Sequence, residues 1–453
     1  MGNSSALFFQ QDNENTITAR IKLSTFQLAK ARECRNALLG FVKPKLSEIL
    51  DMPVKHWIQG SLKNHTLIRP ASKFYEFDID VGLYLIGQGD CSDIDAKEVK
   101  DELHETIMDF CQFNSGAKVS DERKQRCERV SFEKSFHIDL PLYYYNSEDE
   151  TVLLATENGW EESDPKGFQD WFDASVNIDK RVVVRRIIKY LKSWASIQST
   201  SMSVRPISSM VLTILAVNFF DEVTGSDDEA DFANVSLKIV NNILESECVL
   251  NPLNGNDILC FDSADMDAWR SKLQDLESVC NEALQTTSQF ASYYLWERVF
   301  EHSLPPINES PVAQGSTGLP ALTVPVSIQV SHYDAKEKLL SIEVVSSIMS
   351  YKNENLEFKV SNVSEYPRGS TASWIVRNQG VEAGNYNDLG HRFLINLDAE
   401  TGRVCAYTGV HYMDVTVYFQ GLVQGVGQVK VNVQPYSRPV KNPPRKKYFR
   451  GGK

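Results

Sequence analysis

Apolar residues recur at helical intervals from 16 to 50, where Ile17, Ile21, Leu23, Phe26, Leu28, Leu38, Leu39 and Phe41 predict one long helix. A mixed segment follows. Trp57-Ile58-Gln59 reads as a short strand running into Gly60-Ser61, and Phe77–Leu85 alternates as a strand does. Residues 93–113 predict an amphipathic helix, and Val130–Tyr145 contains a further strand. From Asp179, read as an N-cap, helical spacing runs through Ile187, Ile188, Leu191 and Trp194, and further helices are expected at 208–222, 229–246 and 265–302. Five prolines with Gly, Ser and Thr mark 303–325 as a linker. Beyond it the period becomes two: Val326, Ile328 and Val330; Val415, Val417 and Phe419; Val429, Val431 and Val433. Turns are expected there at Asn353-Glu354-Asn355, Gly402 and Gly425-Val426-Gly427. The fold class is therefore α+β: a mixed core at 1–178, a helical lobe at 179–304, a linker at 305–325, a β-rich domain at 326–435 and a tail at 436–453.

Length and composition fit this division. The 453 residues suit about three domains at roughly 150 each, and 42% hydrophobic with 24% charged residues excludes long disorder and fibrous repeats. Net charge is −13, a sign that repels polyanions and argues against broad binding of duplex nucleic acid. The tail opposes it. Arg438, Lys441, Arg445, Lys446, Lys447, Arg450 and Lys453 come without an acid, so the tail is +7 and the other 435 residues −20. No run approaches the ~18 apolar residues of a membrane span, and the N-terminus lacks the basic-then-apolar pattern of a secretory signal. The eight cysteines are scattered, without Cys-x-x-Cys, which excludes a short zinc ribbon and suits unpaired thiols in the cytoplasm.

The chemistry lies in Gln59-Gly60-Ser61, Asp78-Ile79-Asp80 and Phe136-His137-Ile138-Asp139-Leu140-Pro141. On a strand, Asp78 and Asp80 project from one face, with Phe77, Ile79 and Val81 turned to a core. Carboxylates held that close repel unless a cation such as Mg²⁺ sits between them. Asp139 repeats the arrangement and shares a face with His137, which orients a carboxylate. If the two strands are neighbours, three carboxylates converge, a number that suits a pair of Mg²⁺ ions (or Mn²⁺) carrying a nucleoside triphosphate. Gly60 lets backbone approach an anion, and Ser61 adds a hydroxyl beside it. Gly-Ser, an Asp-x-Asp 17 residues after Ser61 and a third Asp 59 residues after Asp80 are together far more specific than any one alone.

These motifs resemble the polymerase-β-like nucleotidyltransferases, and most of all the bacterial cyclic-oligonucleotide synthases of the CD-NTase (SMODS) type from CBASS antiphage systems. The resemblance continues in Arg185-Arg186-Ile187-Ile188-Lys189-Tyr190-Leu191-Lys192 and in Arg205-Pro206-Ile207-Ser208-Ser209. It implies a Mg²⁺-dependent enzyme in which Asp78, Asp80 and Asp139 are catalytic and metal-binding. Gln59, Gly60, Ser61, Lys192 and Ser209 would hold nucleotide, with Lys189 and Ser208 as neighbouring alternatives. One nucleotide's hydroxyl would attack the α-phosphorus of another, and the linear intermediate would turn and cyclise into a messenger read by a downstream effector. Without the family, Lys189 and Lys192 share a helix face that solvation alone also explains. Trp374-Ile375-Val376-Arg377-Asn378-Gln379-Gly380-Val381-Glu382-Ala383 and Tyr407-Thr408-Gly409-Val410-His411-Tyr412 resemble the AGS-C sensor domain. Arg377, Asn378 and Glu382 beside Gly380 make either a ligand site or a structural turn. The zinc-binding insertion of the best-known animal relative is missing, which argues against duplex DNA recognition by that route. The tail, ending Phe449-Arg450-Gly451-Gly452-Lys453, resembles the C-termini conjugated by E1/E2-like ligases of some CBASS operons; a plain solubilising or mononucleotide-attracting tail fits the same residues. Two other functions use the same residues: a template-independent transferase acting on an RNA 3′ end or a small-molecule hydroxyl, and a catalytically silent nucleotide sensor.

Overall fold

A computed structural model describes residues 4–133, 135–307 and 324–435. Two compact units emerge. The first holds the chain to Pro306 and takes back Gly384–His391; the second holds the β-rich remainder.

In the first unit, α1 (Ser5–Phe8) and α2 (Ile17–Arg20) precede the long α3 (Thr25–Ile49). The single helix expected over 16–50 is thus broken before Ser24. Ser24 starts α3 with a capping box, its hydroxyl accepting from Gln27 N–H while the Gln27 side chain accepts from Ser24 N–H. Then come β1 (Val54–Ile58), α4 (Gly60–Lys63), β2 (Phe77–Gly87), α5 (Ala96–Phe113), β3 (Ala117–Val119), β4 (Glu128–Phe132), β5 (Phe136–Leu140), β6 (Leu142–Asn146), β7 (Val152–Thr156) and β8 (Gly159–Glu162). Val130–Tyr145 therefore holds three strands. Pro141 lacks an N–H and separates β5 from β6. The sheet order is β3-β4-β5-β2-β6-β7-β8, with β1 also paired to β2. β2 runs parallel to β5 over its first half and parallel to β6 over its second. Ile79, Val81, Leu83 and Leu85 alternate into one apolar core with Leu38, Leu39, Val42 and Leu46 of α3 and Leu103 and Ile107 of α5. That packing leaves Asp78 and Asp80 on the other face.

The helical part comprises α6 (Pro165–Ser175), α7 (Ile178–Met202), α8 (Ser209–Asn218), α9 (Asp228–Ser246), α10 (Ser263–Gln285) and α11 (Gln289–Phe300). Asn177, not Asp179, caps α7, its side chain accepting from Asp179 N–H. The apolar spacing of 265–302 conceals a break between α10 and α11, where Ser288 caps the second helix. Phe8 of α1 is wholly buried, its ring 5.4 Å from Tyr190, 5.0 Å from Trp296 and 5.5 Å from Phe300. Arg186 of α7 grips Asp228 of α9 through two bonds of 2.6 Å, and the Tyr190 hydroxyl donates to the same carboxylate at 2.8 Å.

The second unit consists of β9 (Ile328–Tyr333), β10 (Leu339–Val344), β11 (Ser347–Tyr351), β12 (Asn355–Val360), β13 (Thr371–Arg377), β14 (Gly390–Asn396), β15 (Thr401–Val404), β16 (Gly409–Phe419) and β17 (Leu422–Gln434). Two sheets, β10-β9-β12-β15 and β11-β17-β16-β13-β14, share a core that includes Val330, Phe358, Trp374, Val415 and Val431. Two expected turns prove to be strand. Gly402 lies within β15, and Gly425-Val426-Gly427 lies within β17. The glycines serve close approach there: a Cβ on Gly425 would stand 2.2 Å from Val324 O. The β16–β17 hairpin turns instead at Gln420 and Gly421, both at positive φ (51° and 79°). At the β13 end, Arg377 is buried against Asp414. Glu382 accepts from Lys352 Nζ and from Thr408 N–H, so this corner is built of internal bonds. The proposed ligase tail, and most of the linker, lie outside the described residues.

Candidate active site

The floor of the site is a register match. β2 and β5 pair with Asp80 beside Asp139 and Asp78 beside His137. Because both strands alternate in step, the three carboxylates expected to converge do share one face. Gly60 closes the floor from above. Its φ is +63°, and a Cβ there would stand 2.0 Å from Asp80 Oδ2, so only glycine fits. Gln59 N–H donates to Asp80 O at 3.1 Å, and the Gln59 side chain donates to the Tyr143 hydroxyl at 3.1 Å. Gln59 thereby anchors the Gly60-Ser61 turn, while Tyr143 stacks on Tyr84 at 4.8 Å.

Two clefts open on this floor. The larger, about 1080 Å³, is lined by Gln59, Gly60, Ser61, Asp78 and Asp80 on one side and by Ser209, Asn251, Asn254 and Asn256 on the other. The smaller, about 680 Å³, is lined by Glu76, Asp78, Lys192, Ser196, Ser208 and Ser209. Asp78 and Ser209 belong to both walls. Lys192 is buried and donates to Thr66 O at 2.9 Å. Burial lowers its pKa to about 8, against the pull of Asp78 and Asp80. Asp80 is pushed the other way, up to about 8, by burial and then by repulsion from Asp78 and Asp139. Ser208 caps α8, accepting from Val211 N–H at 3.2 Å; its hydroxyl proton stays available to a ligand. Lys189 is held below the usual lysine range by burial and then by Lys22, Arg185 and Arg186.

The basic helix is less basic toward a ligand than its sequence implies. Arg186 is committed to Asp228, and Arg185 lies 3.7 Å from Asp173 and over the Phe172 ring. Lys192 is the member that reaches the floor.

Two neighbours of the carboxylate row escape the motif reading. Arg129 of β4 stands directly across from Asp139 in the antiparallel β4–β5 pair and grips it through two bonds, Nε–Oδ1 and Nη2–Oδ2, each 2.7 Å. Glu76 is a second: its carboxylate lies 3.1 Å from His137 Nδ1 and accepts from the Ser131 hydroxyl at 3.1 Å. His137 therefore has one nitrogen on Glu76 and the other 4.0 Å from Asp139 Oδ1, which suits an orienting role. A hairpin turning between Phe132 and Phe136 would have placed residue 129 opposite 139, and that is the signal the sequence held.

Among the described residues, no group of three or more His, Cys, Asp and Glu side chains is closed round a common point fit for a metal. Asp139 is turned into the Arg129 fork. The donor set still suits a hard divalent cation: it is all carboxylate oxygen, it is partly desolvated, and its mutual repulsion already raises Asp80.

Residues 54–143 match the family model described as Cyclic GMP-AMP synthase DncV-like, nucleotidyltransferase domain. Residues 297–434 match the Adenylyl/Guanylyl and SMODS C-terminal sensor domain. The chain is 31% identical over 436 residues to a cyclic GMP-AMP synthase of Escherichia albertii, covering 96% of this chain and 97% of that one. A cyclic GMP-AMP synthase of Vibrio cholerae is 28% identical over 297 residues, covering 54% and 64%. In fold, the chain is similar to the crystal structure of Vibrio cholerae DncV cyclic AMP-GMP synthase in complex with the linear intermediate 5′ pppA(3′,5′)pG, with TM-score 0.56, 19% identity and coverage of 67% and 97%. The near-complete match to the Escherichia albertii protein, on a chain that also keeps Gly60-Ser61 and three in-register carboxylates, shows that this protein belongs to the DncV-like nucleotidyltransferases that make cyclic oligonucleotides and carry an AGS-C sensor domain.

Proposed function

We propose that this enzyme joins nucleoside triphosphates into a cyclic di- or oligonucleotide messenger in CBASS antiviral defence, with Mg²⁺ held by Asp78, Asp80 and Asp139. The observation that carries the chemistry is the pairing of β2 with β5, which sets those carboxylates on one face beneath Gly60-Ser61. A bound divalent ion would neutralise triphosphate charge and acidify the attacking hydroxyl. The chain's own residues do the rest. Gly60 lets its backbone close on phosphate, and Ser61 adds a hydroxyl donor. Lys192 keeps two N–H donors beyond the one spent on Thr66 and, with the hydroxyls of Ser208 and Ser209, holds the departing pyrophosphate. Positioning and charge supply most of the acceleration in phosphoryl transfer, so a conventional acid–base pair is not needed.

Two points support the cyclisation step. The DncV of similar fold was solved with a linear intermediate bound, and Asp78 and Ser209 line both clefts, so two nucleotides can meet at one wall. The relative matched over most of its length is named for cyclic GMP-AMP, which makes ATP with GTP the first pair to offer. Among the described residues no helix is long and apolar enough to cross a membrane. We place the enzyme in the cytoplasm, where its cyclic product would reach a downstream effector. The basic tail is the segment proposed to meet an E1/E2-like ligase. Deleting residues 436–453 should abolish conjugation and leave synthesis intact.

The test is incubation with the four NTPs and Mg²⁺, followed by mass spectrometry of small products. A cyclic product that disappears on chelation and in Asp78→Asn/Asp80→Asn is expected. Extension of RNA ends without a small cyclic product would sink the proposal.

A further inference from the structure

Asp139 is the one carboxylate of the row that neither cleft reaches. Asp78 lines both clefts and Asp80 the larger, but Asp139 lines neither and is only 9% exposed. Both of its oxygens are engaged by one guanidinium. The register explains why. Arg129 faces Asp139 across β4–β5, and Asp80 faces Asp139 across β2–β5, so three adjacent strands present cation, anion, anion in one line. A two-pronged guanidinium supplies a full positive charge and occupies a lone pair on each carboxylate oxygen. It is thus a direct rival to a divalent ion for the same group. The nearby cation Lys192 acts on Asp78 and Asp80 rather than on Asp139. His137 cannot replace Arg129 either, since its Nε2 stands 4.0 Å off and its Nδ1 is tied to Glu76.

We infer that Arg129 is a positioning residue that holds Asp139 as an ion pair in the metal-free enzyme and must release it before Asp139 can take a divalent ion, so that Arg129 sets the threshold for loading the site. The inference rests on the metal-dependent reading above. It assigns Asp78 and Asp80 to the ion held without rearrangement, and Asp139 to the step that rearranges.

The probe is Mn²⁺ alone, titrated into the nucleotide-free full chain and followed by the electron paramagnetic resonance signal of the free ion. Arg129→Gln should bind Mn²⁺ about tenfold more tightly than the wild type. Arg129→Lys, which keeps the charge and loses the fork, should fall between. In an Asp139→Asn background, Arg129→Gln should bring no gain, because the group released is gone. A purely structural role for Arg129 predicts the opposite sign, weaker binding in both variants with unfolding seen by circular dichroism. Unchanged or weaker Mn²⁺ binding by folded Arg129→Gln and Arg129→Lys overturns the inference, as does a gain that survives Asp139→Asn. If the wild type binds no Mn²⁺ saturably, or Asp78→Asn/Asp80→Asn binds it equally well, the metal reading itself falls and takes the inference with it.

Discussion

Gly60 carries two constraints that can be separated. Its positive φ strains any side chain, and a Cβ would also collide with Asp80. Gly89 has the first constraint without the second, with φ +73° and open space around it. Gly89→Ala should cost about 1 kcal/mol of stability and leave synthesis intact. Gly60→Ala should lose about the same stability or more, and most of its activity, because Asp80 must move. Thermal melts beside product yield would check the pair; equal activity in the two variants would contradict the assignment. The legible residues were those whose chemistry follows from alternation along one strand. Asp78, Asp80 and Asp139 needed only period two and one assumption of neighbouring strands. Arg129 and Glu76 needed pairing partners, which no spacing within a single strand provides.

At the scale of elements, hydrophobic period located most of the long helices but not α6 (Pro165–Ser175), and it did not show where a helix is interrupted. The apolar stripe continues through Ile21–Leu23 and across Thr286–Ser288, while hydrogen-bonding serines restart the backbone at Ser24 and Ser288. Glycine misled in the opposite direction, because Gly425 and Gly427 admit a neighbouring backbone to a strand. The charges of α7 were equally ambiguous until α9 was placed beside it. Arg186 then became an internal tie, half of a pair with Asp228. Asp228→Ala leaves that guanidinium uncompensated and should cost roughly 3–5 kcal/mol, whereas replacing both partners by Met and Leu should cost much less. Urea unfolding of the single and double variants measures the difference. Equal losses would mean the pair is not a unit.

For the molecule as a whole, net charge said little about the site. A body of −20 accommodates nucleotide chemistry because a few buried cations act at short range, where the overall field matters less than the neighbour. The N-terminus matters more than its polar start suggests. Phe8 fills the centre of a ring of aromatics from α7, α9 and α11, and Ser4 N–H reaches Glu229 at 2.6 Å. The sequence showed Phe8 only as one of two adjacent phenylalanines; its burial depends on residues some 180 to 290 positions away. Phe8→Ala should destabilise the helical part by about 3–5 kcal/mol. A melting temperature within a degree of the wild type would show that the pocket closes without it.

The pairing that builds the floor also bears on how the chain reaches its native state. β4 and β5 form a hairpin, a local structure that closes early, whereas β2 and β5 are parallel strands joined only across a long stretch of chain. When β5 docks on β2, it must bring one carboxylate up to two others. Arriving with Arg129 already attached, Asp139 approaches as a neutral pair and the repulsion is muted. Arg129→Gln should therefore refold more slowly at low salt, with added salt restoring the rate. Stopped-flow tryptophan fluorescence would follow it, and a refolding rate indifferent to both changes would show that the hairpin docks without regard to charge.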